Sequence, residues 1–185
     1  MITTDIYTIQ DGAIVAAPHA GQFAALDSSA RFILVLAGLQ SGKTVTGPIW
    51  LYNEIQNRGA GDYLVASPSF PLLNKKALPA FREYFERDLK LGEYKAGAKT
   101  FEFSKEGNRR THGDTRAHTT IFFGHAQDPD SLESATAKAA WLDEAGQNKF
   151  KLESWEAIQG RLSIHQGRAL ITTTPYNMGW LKTQF

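Results

Sequence analysis

The chain has 185 residues, 42% hydrophobic and 21% charged, with a formal net charge of +1, the balance of one globular domain rather than of a disordered or fibrous chain. No apolar run approaches the roughly 20 residues that span a bilayer, and Met1 to Gln10 lacks a basic segment followed by an apolar one, so neither membrane insertion nor secretion is indicated. The absence of cysteine excludes a disulfide framework and any thiolate zinc site, and the five histidines show no metal-ligand spacing.

The first strong element is the apolar run Phe32 to Leu36, read as a buried strand, which leads into Ala37-Gly38-Leu39-Gln40-Ser41-Gly42-Lys43-Thr44. A helix opening at Lys43 would aim several backbone N–H groups, those of Gly38, Leu39, Gln40, Ser41 and Gly42 among them, at one point at the positive end of its dipole. That is a phosphate cradle. In the pattern G-x-x-x-x-G-K-[ST], Lys43 contacts the β- and γ-phosphates, Thr44 holds Mg²⁺, and Gly42 lets the backbone approach the ligand. Ala37 replaces the first glycine, and the competing reading is a glycine-containing turn that binds nothing.

The periodicity predicts a helix from Thr44 to Asn57, stopped by Gly59-Ala60-Gly61, with Pro48 near its first turn where the missing N–H costs least. Tyr63 to Ala66 reads as a second strand, and Pro71 to Leu89 as one helix with Leu72, Leu73, Leu78, Phe81, Tyr84, Phe85 and Leu89 largely on one face. This alternation predicts a parallel sheet. Phe101 and Phe103 then alternate with polar residues, Thr119 to Phe123 is a further strand, and the basic stretch between them reads as the loop of an antiparallel hairpin or sheet-edge insertion. Lys90 to His118 carries seven Lys and Arg against four Asp and Glu, a local +3 that either touches DNA phosphates or is a solvated loop.

Ala139 to Leu142 is a strand running into Asp143-Glu144, and Arg168 to Thr172 is another running into Thr173-Thr174-Pro175. Three strands thus end in polar residues at one edge, where ligands of open α/β sheets bind. Asp143 would serve the Mg²⁺ shell and Glu144 would orient and activate a water, although a solvated turn is the plain alternative. A GTPase is disfavoured, because Asn148-Lys149-Phe150-Lys151 ends in lysine where a base-reading aspartate is needed. A small-molecule kinase would have no use for a water-activating glutamate.

Taken in order, Pro18-His19-Ala20-Gly21-Gln22, the loop Ala37 to Thr44, Trp141-Leu142-Asp143-Glu144-Ala145 and Thr172-Thr173-Thr174-Pro175 resemble the N-terminal ATPase domain of large terminase subunits, the motors that package DNA into tailed bacteriophage heads. The resemblance runs from Gln22 to Trp180. It implies a P-loop NTPase fold over residues 1–185, with a mainly parallel sheet flanked by helices and an added hairpin, and the family's C-terminal nuclease domain absent from this chain. It also implies ATP and Mg²⁺ as cofactors, Gln22 reading the adenine edge, and Thr172, Thr173 and Thr174 as a segment coupling hydrolysis to movement. The implied partners are double-stranded DNA, a portal protein and a small terminase subunit. The chain would be a monomer in isolation and a homo-oligomeric ring on the viral procapsid, in the cytoplasm of the infected host. No arginine occupies the phosphate loop, so a charge-stabilising arginine must come from elsewhere. Arg161 is preferred as reaching the same sheet edge as Glu144, ahead of Arg116 and Arg168, and a solvated helix-end arginine is the alternative. Two other functions share these motifs: an ATP-driven helicase or remodelling motor, and an assembly module that binds nucleotide without hydrolysing it.

Overall fold

The computed structural model describes residues 6–10, 13–38, 40–127, 136–175 and 179–185. Two short strands, β1 (Tyr7–Gln10) and β2 (Ala13–Ala16), pair with each other, and α1 (Ala20–Asp27) follows them. Then come β3 (Phe32–Leu36), α2 (Lys43–Arg58), β4 (Gly61–Ser67), α3 (Phe70–Lys75), α4 (Ala77–Arg82) and a π-helical turn over Glu83–Asp88. The remainder is β5 (Gly92–Lys95), β6 (Thr100–Phe103), α5 (Lys105–His112), β7 (Thr119–His125), β8 (Ala139–Asp143), α6 (Leu152–Ser163), β9 (Arg168–Thr173) and α7 (Leu181–Gln184).

The second sheet has the order β3-β9-β8-β4-β7-β6-β5. Its first five strands are parallel, and β6 and β5 are added antiparallel. Because β9 lies between β3 and β8, the ends of β3 and β8 stand about 10 Å apart, two strand spacings, with Thr172–Thr174 between them. Period-two alternation buries Val65, Trp141 and Leu170 under Trp50, Ile55, Phe81 and Phe85 on one face. The other face of the same strands, with Leu64, Leu142 and Ile171, packs on Trp155, Ile158 and Leu162 of α6. The result is a sheet with helices on both sides, as the alternation of elements predicted.

Three details differ from the sequence-based expectation. The helix expected over Pro71–Leu89 is broken at Lys76, whose φ of −123° and ψ of −73° lie outside the helical range. Pro79 explains this, since it has no N–H for the carbonyl of Lys75 and its ring excludes that carbonyl. Pro48 falls not in the first turn of α2 but at its sixth residue, where its missing N–H leaves the Thr44 carbonyl without the usual intrahelical bond. The hairpin is built by β5 and β6 rather than by β6 and β7, which do pair antiparallel but are joined through α5. Ser104 caps α5 by accepting from Gly107 N, while the mostly polar β5 lacked a strand signature.

Candidate active site

The loop after β3 owes its shape to left-handed backbone. Gln40 (φ 59°) and Gly42 (φ 77°) lie in the left-handed region ahead of α2, whose N-cap is Gly42, a backbone shape of the kind that aims N–H groups at an anion. Glycine suits 42 because of its positive φ, and a Cβ there would also lie 2.3 Å from Nε2 of Gln22 and displace that amide. At Gly38 an added Cβ would meet nothing within 4 Å, and Leu39 lies outside the described residues. Ala37 N donates to Thr173 O at 3.2 Å, fastening the start of the loop to β9.

Lys43 is buried and donates to Ala37 O (2.7 Å), Gly38 O (2.5 Å) and Ser41 Oγ (3.2 Å). Burial lowers its pKa, against the opposing pull of the Glu144 and Asp143 carboxylates. Thr44, half-buried, follows it in the first turn.

His19 and Gln22 form a reciprocal cap on α1. The imidazole Nδ1 accepts from Gly21 N and Gln22 N, and Gln22 Oε1 accepts from His19 N at 3.0 Å. A ring accepting at Nδ1 carries its proton on Nε2, which then donates to Ser41 O at 3.2 Å and ties α1 to the phosphate loop. Gln22 Nε2 is buried and has no partner within the protein. A cleft of about 340 Å³, lined among others by His19, Gln22, Ala25, Ile33, Val35 and Lys43, opens between α1 and β3.

Two strands away, Asp143 is 1% exposed. Trp141 Nε1–H donates to Thr172 Oγ1 at 3.2 Å, leaving the threonine proton for Asp143 Oδ1 at 2.9 Å, the nearer of its two acceptors ahead of Leu142 O at 3.3 Å. Asp143 Oδ2 finds no partner. Burial pushes the Asp143 carboxyl up to about 6, an effect the Thr172 hydroxyl opposes, the Glu144 carboxylate reinforces, and Lys76 and Lys43 oppose. The same Trp141 ring sets the distance of α2 from the sheet, because a Cβ at Gly47 would lie 2.0 Å from its Cε2.

Glu144 adopts φ 56°, rare for a residue with a side chain and found where surrounding contacts enforce it. Here Ala145 N donates to Thr172 O, Gly146 N to Thr173 Oγ1, Gln147 N to Glu144 O, and Trp180 Nε1 to Ala145 O. The Glu144 side chain is almost fully buried, with Oε1 bonded to Lys76 Nζ at 2.7 Å and Oε2 unpaired.

Gly42, Lys43, Thr44, Asp143, Glu144, Thr172, Thr173 and Thr174 therefore converge on one edge, with Gln22 joined through Gly42. The arginines do not. Arg161 was expected to reach this edge, but its carbonyl accepts from Ala137 N, just before β8, whose five residues then separate it by about 16 Å from Asp143. Arg168 opens β9 at that opposite edge and is bonded to Glu54, the carbonyl of Ser28 and that of Ala30. Arg116 precedes β7 there, almost fully exposed beside Asp114. Lys76, absent from the sequence reading, is the cation that does reach Glu144, and Pro79 was its only signal.

Among the described residues no group of three or more His, Asp or Glu could hold a metal ion by itself. That suits Mg²⁺, which takes one or two protein ligands and fills its octahedron with waters and substrate phosphates. The orphaned Asp143 Oδ2 and the Thr44 hydroxyl, on the same edge of the sheet, are oxygen donors of the right kind. No helix among the described residues is long and apolar enough to cross a membrane.

Fold and edge together define a phosphate-loop α/β domain. Residues 34–185 match the family model described as Terminase large subunit, T4likevirus-type, N-terminal, and the chain belongs to that family. The terminase large subunit of Thermus phage G20c is 29% identical over 176 residues, spanning 88% of this chain and 35% of that protein. The large terminase ATPase domain of Thermus phage P74-26 superposes with a TM-score of 0.73 at 24% identity, over 91% of this chain and 69% of that one. The large terminase of a thermophilic bacteriophage, solved in complex with ADP, gives 0.67 at 12% identity, over 90% of this chain and 41% of that one. The chain thus spans about a third of the length of the curated relatives it matches.

Proposed function

We propose that residues 1–185 form an ATPase domain that hydrolyses ATP with Mg²⁺ to drive double-stranded DNA into a viral procapsid. The observation that carries this reading is the convergence of a buried lysine and a buried carboxylate pair, each carboxylate with one unpaired oxygen, on the edge where a left-handed loop opens α2.

In this reading the loop N–H groups and Lys43 bind the β- and γ-phosphates, exchanging the lysine's bonds to Ala37 O and Gly38 O for phosphate oxygens. Thr44 and Asp143 would hold Mg²⁺, which when bound neutralises charge on the transferring phosphoryl group. Glu144 Oε2 accepts the proton of the attacking water, and Lys76 on Oε1 holds the carboxylate in place. The base lies in the cleft between α1 and β3, with Gln22 Nε2 as a donor to its edge. The protein named as an ADP complex among the structural neighbours supports a nucleotide in this fold.

Membership of the terminase family supports double-stranded DNA, a portal protein and a small terminase subunit as partners. It also supports a ring of copies on the procapsid in the host cytoplasm. Arg161 cannot serve its own nucleotide from the opposite edge, so a role for it requires a neighbouring copy. Phosphate release measured with and without double-stranded DNA tests the proposal. Turnover that requires Mg²⁺ is expected, and nucleotide binding with no turnover under either condition would favour the assembly module.

A further inference from the structure

One strand of the sheet ends in a polar residue that the reading above does not use. β4 is apolar from Tyr63 to Ala66 and then closes on Ser67, which is 0% exposed. β4 and β8 are in register through Ala66 and Leu142, so the next pair along the two strands is Ser67 beside Asp143. Val65 and Trp141 both belong to the core beneath α2. Two residues further, Ser67 and Asp143 therefore leave the sheet on that same face, the face of Lys43. Thr172 continues the row on the far side of Asp143, with which it is in register.

The members of this row differ in how they are satisfied. Thr172 is bonded to Trp141 and to Asp143 Oδ1. Ser67 Oγ and Asp143 Oδ2 are both buried with no partner. A hydroxyl can donate to a carboxylate, yet these neighbours do not bond each other, although each carries the cost of an unsatisfied buried group. Two orphans on the same face of adjacent, in-register strands can be satisfied together by a third group that accepts from or donates to both. The Ser67 backbone is fixed for this. Its carbonyl accepts from Ala126 N at 2.9 Å, and Pro68 after it holds residue 67 extended.

We propose that Ser67 is a positioning residue of the metal site, its hydroxyl holding a water coordinated to the divalent cation that Asp143 Oδ2 faces. The inference rests on the Mg²⁺-ATP reading. It adds an outer-shell partner on β4 to Thr44 and Asp143, of the kind that orients a hydrated Mg²⁺ and whose loss costs about 10–100-fold in metal affinity.

The test is Mn²⁺ binding to the 185-residue chain, followed by electron paramagnetic resonance in the presence of a non-hydrolysable ATP analogue. Ser67→Ala should weaken Mn²⁺ about tenfold. It should leave the analogue's affinity in EDTA unchanged, and the metal-free melting temperature equal to or above the parent's, because an orphan hydroxyl is removed. Unchanged Mn²⁺ affinity overturns the proposal. So does a lowered metal-free melting temperature, which would make the hydroxyl structural, or weaker analogue binding in EDTA, which would place it on the nucleotide. If the parent itself binds neither the analogue nor Mn²⁺ in its presence, the nucleotide reading fails first. If the parent binds both and Ser67→Ala matches it, only the Ser67 inference fails.

Discussion

Asp143 makes the fold pay for its function in a way that pH exposes. Burial raises its carboxyl from an ordinary 3.8 to about 6, so the folded state binds its proton more tightly than the unfolded chain does. The stability this group contributes is complete below about pH 4, where both states are protonated, and is lost as pH rises through about 6. At about 1.4 kcal/mol per pH unit, the ionised carboxylate costs the domain ~3 kcal/mol at neutral pH. Asp143→Asn removes the charge and keeps an oxygen for the Thr172 hydroxyl. Urea unfolding in EDTA should therefore show the variant gaining on the parent between about pH 4 and 6, by up to ~3 kcal/mol, with no further gain above. Taking the difference between the two chains cancels the other titrating groups. Saturating Mg²⁺ should close the gap by stabilising the parent alone, since the variant has lost the ligand. A stability difference that stays flat from about pH 4 to 7, or an Asn variant less stable at about pH 8, would refute the claim that Asp143 is held ionised against its surroundings.

Lys43→Ala should weaken ATP binding, because no other described cation lies against the loop carbonyls; unchanged affinity by calorimetry would leave the loop as structure only. Glu144→Gln should bind ATP and Mg²⁺ like the parent while steady-state turnover collapses by about 10²-fold or more, and parental turnover would assign the water to another group. Lys76→Ala strips the partner from a buried carboxylate, and should cost about 1–2 kcal/mol in urea unfolding and lower kcat with little change in ATP affinity. Arg161→Ala should spare ATP binding and abolish any rise of turnover with protein concentration; mixing it with Glu144→Gln should restore some activity, and a mixture that stays inactive would remove Arg161 from a role in trans.

Much of this site was legible because its chemistry rests on contiguous patterns. A strand, a glycine-bearing loop and a helix start are local, and so are two carboxylates after an apolar run. The threonines at the end of β9 were legible for the same reason. What escaped depended on contacts far apart in sequence. Lys76 lies 68 residues from Glu144 and reaches it through a helix break that only Pro79 announces. Ser67 acquires a neighbour only when β4 pairs with β8. Gly47 reads as a weak spot in a helix until Trp141 is seen to occupy the place of its Cβ. Arg161 failed for a topological reason: a helix leaving the carboxyl end of β8 and returning to β9 must end at the opposite edge.

That same topology makes β9 the physical link between the two halves of the site. On one side its Thr173 carbonyl accepts from Ala37 N at the start of the phosphate loop. On the other, its Thr172 hydroxyl orients Asp143, its Thr172 carbonyl accepts from Ala145 N, and the Thr173 hydroxyl accepts from Gly146 N. Trp180 then carries the connection outward, bonding Ala145 O while its ring stacks on Trp155 of α6. Under the proposed function, a loop that exchanges Lys43's bonds to its own carbonyls for phosphate oxygens would pull on a strand hydrogen-bonded to Asp143 and to the backbone just after Glu144. Interiors packed this densely pass such a displacement on instead of absorbing it. If Thr172, Thr173 and Thr174 couple hydrolysis to movement, as the resemblance implies, β9 is the route for it, since the strand is bonded both to the start of the phosphate loop and to the backbone after Glu144, itself at φ 56°.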